Sequence, residues 1–297
     1  MEYTILGKSD LKVSRIGFGC MSLSGSEREN ELVVHRALEI GVNFFDTADL
    51  YEKGENEKKI GKLIGSQRDQ VIIATKTANQ WRADGSGWDW NPSKKHILAA
   101  AEESLKRLKT DYIDLYQLHG GTIDDPIDET IEAFELLQQQ GKIRFYGISS
   151  IRPNVIRQYV EKSGIVSVMM QYSLLDRRPE EECFALLKKH DISVLSRGGV
   201  AQGLLVDKPA KPYLQWSADE VERAAAAIRE VKGSGSAAQT AVRFVLQHQP
   251  VDSAIIGIRT LAQLEDIAVS LEVPLLTTRE MDLLASVTAS QYYSEHR

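Results

Sequence analysis

Cysteine is nearly absent from this chain of 297 residues: Cys20 and Cys183 stand far apart in no paired spacing, which argues against a disulfide framework or a structural zinc site. The six histidines form neither HxxxH nor HExxH, so no helical metal motif is offered. No basic tract offsets the formal net charge of -6, and a surface without clustered positive charge is a poor match for nucleic acid or an anionic membrane. No apolar run is long enough to span a bilayer, and the opening segment MEYTILGKSDLKVS lacks the basic-then-apolar order of a leader. A reducing cytoplasm is the expected compartment.

What the chain does have is 42% apolar and 26% charged residues, enough for a real core under a soluble surface. The length admits one large domain or two small ones. Residues 3–6 and 11–13 flank the turn-like 7–10 and read as a β-hairpin. Candidate strands follow at 16–19, 42–46, 71–75, 112–118, 143–148, 166–170, 192–196 and 253–256. Helical spacing fills several intervals. Ile97, Ala101, Leu105 and Leu108 line one helix behind Asn91 as cap and Pro92 in the first turn; Ile131, Phe134 and Leu137 line another, closed by Gly141. Residues 218–232 and 237–248 are two more, split by a turn at 233–236. Strand and helix alternate and no interval suggests a second domain, so the expected class is α/β. The expected form is one (β/α)8 TIM barrel over 1–297, with an N-terminal β-hairpin and extra C-terminal helices. A six-strand doubly wound sheet would give similar alternation.

Barrel active sites lie at the C-terminal ends of the strands. Three runs end there in polar groups: Asp46 in VNFFD, Lys76 in VIIATK and His119 in YIDLYQLH, with Tyr51 on the loop after Asp46. Taken singly each has an ordinary explanation, as turn cap, snorkelling lysine or core histidine. Together they compose a proton donor. A phenol with a reference pKa near 10 donates poorly at neutral pH unless a cation favours its anion. Lys76 would supply the cation, Asp46 would hold it charged, and His119 would orient a substrate oxygen beside Tyr51.

GVNFFDTADLY, the VIIATK strand and the LYQLH strand resemble the signature segments of the aldo-keto reductases, NADP(H)-dependent barrels that reduce aldehydes and ketones. The resemblance runs from the hairpin to IIGIRTLAQLED. It implies Tyr51 as general acid, Lys76 and Asp46 as the pair that tunes it, and His119 as the substrate-orienting group. A nicotinamide would supply a hydride to the carbonyl carbon.

GFGCMS comes close to GxGxxG but lacks the third glycine, so it reads better as the first barrel strand and its loop than as a Rossmann turn. The resemblance implies that Gly19, Cys20 and Met21 line the nicotinamide, with Asp46 close by. Ser149, Ser150 and Gln171 would bind its carboxamide; the family more often has asparagine at the second serine. In IIGIRTLAQLED a strand ends at Gly257, and Arg259 and Thr260 open a helix whose free N–H groups favour an anion. An arginine fork there suits the adenosine 2'-phosphate, hence NADP over NAD. Gln263 and Asp266 fall on the adenine side, where Ile267 replaces a frequent asparagine. In VLSRGGVAQGLL, Ser196, Arg197 and Gly198 border the nicotinamide; Arg197 stands where many members have a stacking tyrosine, and its guanidinium plane would substitute. The loop 203–216 would fold over the pyrophosphate with Gly203, Leu204 and Lys208.

Trp81, Trp88 and Trp90 crowd the loop after the third strand. A hydrophobic or aromatic carbonyl substrate would fit there, though the same tryptophans would also serve to glue the loop down. The expected partners are a small carbonyl compound, no nucleic acid and no membrane, in a monomer or weak homo-oligomer. Two alternatives compete: a non-catalytic NADP-binding sensor on the same barrel, as in potassium-channel β subunits, and a Schiff-base aldolase using Lys76.

Overall fold

The computed structural model describes residues 1–233 and 235–297. The chain opens as an antiparallel hairpin of β1 (Tyr3–Ile5) and β2 (Lys12–Ser14), with Ile5 opposite Lys12. Gly7 turns it at a φ of 51°, where any side chain would run into the Val166 carbonyl, so glycine is required. The hairpin brings Leu6, Leu11 and Val13 into one buried cluster with Phe44, Ile72, Leu115, Val166 and Leu195. It thereby stoppers the N-terminal end of the barrel.

The barrel begins with β3 (Ile16–Gly19), β4 (Phe44–Asp46) and β5 (Ile72–Thr77). A small antiparallel ribbon, β6 (Asn79–Trp81) with β7 (Trp88–Trp90), then leaves the wall. Strands β8 (Ile113–Leu118), β9 (Ile143–Ser149), β10 (Ser167–Gln171), β11 (Ser193–Arg197) and β12 (Val251–Gly257) complete it. All pairs are parallel, and β12 closes on β3 with Gly257 opposite Gly19. Most strand positions are buried, as strands covered on both faces must be.

Helices α1 (Glu27–Glu39), α2 (Glu55–Ile64), α3 (Lys94–Leu108), α4 (Ile127–Gln139), α5 (Pro153–Lys162) and α6 (Cys183–Lys189) cover the outside. Two more, α7 (Ala218–Val231) and α8 (Ala237–Leu246), fill the connection from β11 to β12, and α9 (Leu261–Ala268) and α10 (Thr278–Ser286) follow. With one helix per strand as the pattern, α7 and α10 are the additional pair, and they pack together. Start signals sit in the local sequence: Ser26 with Glu29, Ser217 with Glu220, Ser236 with Gln239 and Thr277 with Glu280 each form a reciprocal capping box. Ile97, Ala101, Leu105 and Leu108 are buried on α3 and Ile131, Phe134 and Leu137 on α4, as the spacing requires.

Three local expectations change. The cap of α3 is Ser93, not Asn91; the Asn91 side chain accepts from Ser93 N–H and hydroxyl, so Pro92 precedes the helix. Strand β5 runs on to Thr77, which makes Lys76 its penultimate residue. The tryptophan-rich loop is a paired ribbon. The turn expected at 233–236 includes Ser234, which lies outside the described residues.

Candidate active site

Parallel pairing sets Asp46 beside Ala74 and Lys76 beside Gln117, so the last turns of β4, β5 and β8 lie level at one rim. Lys76 is 1% exposed. Its ammonium donates to Asp46 Oδ2 at 2.7 Å and to the Thr47 carbonyl at 2.8 Å, and it stands 3.4 Å from the Tyr51 hydroxyl. Burial works against that charge, but the Asp46 carboxylate and then Tyr51 outweigh it and leave the Lys76 pKa raised. Gln117, fully buried, donates to the other Asp46 oxygen at 3.4 Å. The His119 ring meets Tyr51 edge-on, with centroids 5.8 Å apart at 81°. Asp46, Tyr51, Lys76 and His119 therefore share one hollow.

Backbone geometry aims Tyr51. Glu52 and Lys53 both take left-handed φ, 51° and 57°, and Gly54 follows at 87°, so the chain reverses at once and α2 can start. A side chain at Gly54 would press on Arg107. Beneath this turn the Thr47 hydroxyl donates to Asn56 Oδ1 at 2.7 Å, and Asn56 Nδ2 donates to the Cys20 carbonyl at 2.9 Å, tying the Tyr51 loop to the loop after β3. Asp49 has one carboxyl oxygen buried without a partner, and burial followed by the neighbouring Glu57 pushes its pKa up to about 8. An acid there is held neutral at pH 7.

His119 follows β8 and donates its backbone N–H to Thr77 O at 2.9 Å. Burial, then the charges of Lys76 and Arg197, drives its pKa down to about 3. Nδ1 is buried and without a partner. A neutral imidazole held this way has one N–H to offer an incoming oxygen.

On the same rim, at the ends of β10 and β11, a second set gathers around Gln171. Its Nε2 donates to the buried Asp176 at 2.9 Å and reaches the Tyr213 hydroxyl at 3.3 Å, while Oε1 accepts from Arg197 Nη1 at 2.9 Å. Arg197 is exposed and turned onto that amide. Ser196 is buried with an unpartnered hydroxyl. Gly19 and Gly257 lie side by side, and Cβ atoms on them would crowd the Ile256 carbonyl at 3.2 Å and Ser22 Cβ at 3.3 Å. Cys20 is buried, Met21 exposed, Ser149 half-buried, and Ser150 caps the Arg152 N–H at 3.2 Å.

The remaining cofactor candidates divide. Gly198 and Gly203 hold φ of 76° and 92°, and the Lys208 stem lies against Gly203. Leu204 is buried in the main core. Thr260 caps α9 through Gln263 N–H at 3.2 Å, and Gln263 Oε1 accepts from Arg259 N–H at 3.0 Å, leaving the Arg259 side chain exposed. Asp266 accepts from Ser236 at 2.8 Å and from Gln239 at 2.7 Å, at the start of α8. Among the described residues no group of histidine, cysteine, aspartate and glutamate side chains could hold a metal. No described helix is long and apolar enough to cross a membrane.

The profile of the Aldo/keto reductase family matches residues 15–289. An uncharacterized oxidoreductase, YqkF of Bacillus subtilis (strain 168), is 49% identical over 302 residues, 98% of each chain. Aldo-keto reductase YhdN of the same organism is 31% identical over 290 residues, covering 89% of this chain and 87% of that one. The holo form of aldo-keto reductase AKR11C1 from Bacillus halodurans superposes with a TM-score of 0.94 at 46% identity, over 100% of this chain and 99% of that one. Likeness that spans both sequence and barrel from end to end leaves one assignment: the chain belongs to the aldo/keto reductase family, a family of oxidoreductases.

Proposed function

We propose that the protein reduces small aldehydes or ketones to alcohols at the expense of NADPH, with Tyr51 as general acid. The observation that carries this is the Lys76 ammonium, held by Asp46 at 2.7 Å and 3.4 Å from the Tyr51 hydroxyl. As the phenol gives its proton to a substrate oxygen, the negative charge left on it develops against that cation, which lowers the barrier. The carboxylate of Asp46 keeps Lys76 charged in a site that excludes water. Neutral His119 gives its N–H to the same substrate oxygen and fixes it near the phenol.

A nicotinamide, when bound, supplies the hydride that reaches the carbonyl carbon. The residues present fit such a cofactor. The unpartnered Ser196 hydroxyl and the side-chain-free pair Gly19 and Gly257 stand at the ends of neighbouring strands on the same rim as Gln171; Cys20, Met21, Ser149 and Ser150 would border the nicotinamide there. Arg259, in no ion pair among the described residues, stands at the N-terminus of α9 beside Thr260. There it would take the 2'-phosphate that distinguishes NADPH from NADH. Lys208 would steady the pyrophosphate.

The test is Tyr51→Phe. Turnover of NADPH with an aldehyde should fall by about 10²–10⁴-fold, the range for losing a positioned acid, with NADPH affinity unchanged. Equal turnover in the variant would remove Tyr51 from the chemistry. A wild-type protein that binds NADPH but oxidises it with no member of a carbonyl panel would be a sensor instead.

A further inference from the structure

The β6–β7 ribbon has two unlike faces. Pairing sets Trp81 opposite Trp88 and Asn79 opposite Trp90, and residues directly opposite, together with those two apart on each strand, share a face. Asn79, Trp81, Trp88 and Trp90 therefore stand together. The reverse face carries Gln80, Arg82 and Asp89, with Arg82 Nε bound to Asp89 at 2.9 Å in the open.

The tryptophan face is turned to the two loops that hold the reacting groups. Asn79 Nδ2 lies 3.4 Å from the His119 carbonyl. Trp81 Nε1 donates to the Leu50 carbonyl at 3.2 Å, next to Tyr51, and Lys53 covers its ring at 5.0 Å. Trp90 Nε1 donates to both Asp125 oxygens at 3.0 Å, and its ring lies where a Cβ on Gly120 would touch it at 3.3 Å. Those three side chains latch the ribbon across the mouth from the Tyr51 loop to the His119 loop. Among the described residues nothing latches Trp88, which is 46% exposed. An indole that only glued the ribbon down would be covered like its two neighbours.

Resting on the carbonyl-reductase reading above, we propose that Trp88 sets substrate preference. It receives the flat apolar substituent of a substrate whose carbonyl oxygen is held by Tyr51 and His119, so aryl aldehydes and aryl ketones are the favoured class. Stacking there removes apolar surface of both partners from water and adds the offset contact of two π-systems. Trp81 and Trp90 hold the face still.

The test compares kcat/KM for benzaldehyde and for propanal at saturating NADPH. Trp88→Ala should lose about tenfold on benzaldehyde, the scale of one aromatic contact with its buried area, and change propanal by less than about twofold. Trp88→Phe should recover most of the benzaldehyde loss, and NADPH affinity, read from cofactor fluorescence, should match the wild type in both variants. Trp81→Phe, which frees the Tyr51 loop, should lower both substrates alike. A Trp88→Ala protein that treats the two aldehydes equally, whether both fall or neither does, overturns the assignment of Trp88 while leaving the reductase reading intact. Wild-type protein that reduces neither compound, nor any other carbonyl, overturns that reading and this one with it.

Discussion

Two buried carboxylates at opposite ends of the barrel show what separates its floor from its mouth. Asp114, near the start of β8, binds Arg68 and Arg144 at 2.8 Å each and also accepts the Ile73 N–H at 3.0 Å. Both of its oxygens are fully engaged. Asp46, at the end of β4, binds one ammonium that itself still faces a phenol, with a longer contact from Gln117. At the same rim His119 Nδ1, Asp49 Oδ1 and the Ser196 hydroxyl are buried and lack partners. Buried polar groups without partners weaken a fold, and these three stand where an incoming ligand could supply the missing partner. The carboxylate at the floor is saturated by two arginines and a backbone N–H, whereas the one at the mouth shares its ammonium with a phenol.

The contrast breaks if the two ends respond alike to substitution. After the loss expected for Tyr51→Phe, the largest effect should come from Asp114→Ala, which strands two arginines. Removing one partner of a buried pair costs about 3–5 kcal/mol, so denaturant melts should show a loss of that order, while turnover per folded molecule stays at the wild-type value. A comparable drop in kcat would show that floor and mouth are not separate. Next in size, Arg259→Ala should weaken NADPH by about tenfold, one charge-assisted phosphate contact, and NADH by less than about twofold in titrations of cofactor fluorescence. Equal weakening would detach Arg259 from the 2'-phosphate.

A further test sharpens the comparison through pH. Asp49 has an ordinary carboxyl value of 3.8 when unfolded and about 8 in the native fold. Between those values the native state keeps a proton that the unfolded state has lost, so stability falls as pH rises through that window and levels off above it. Asparagine removes the term. Asp49→Asn should melt above the wild type at pH 8 and no higher than it at pH 4; a constant difference across that range would show that Asp49 ionises normally.

Much of the mouth was legible in the sequence because it is written at strand ends. Asp46, Lys76 and His119 each close an apolar run, and strand ends of a barrel meet at one rim whatever the fine boundaries are. Helices α7 and α8 and the hairpin followed from turn residues and periodicity. Gln117 was hidden inside the YQLH run, since a buried glutamine inside a strand announces nothing until register sets it against Asp46. Asn56 lies on α2 and acts through carbonyl and hydroxyl partners of the two preceding loops, a long-range contact that no spacing reveals. Trp81 and Trp88 read from the sequence as loop residues, although ADGSG between them is a turn signal that could have revealed the ribbon. Arg197 was expected to offer its plane to a ring, and the structure places it on Gln171, a partner 26 residues away in the chain that only the β10–β11 register brings alongside.

The stopper formed by Leu6, Leu11 and Val13 has one more consequence. A cylinder sealed at its base is open at its mouth, so on the reductase reading proposed above reactant, product and any replacement proton for the phenol would pass through the opening that the tryptophan strap spans.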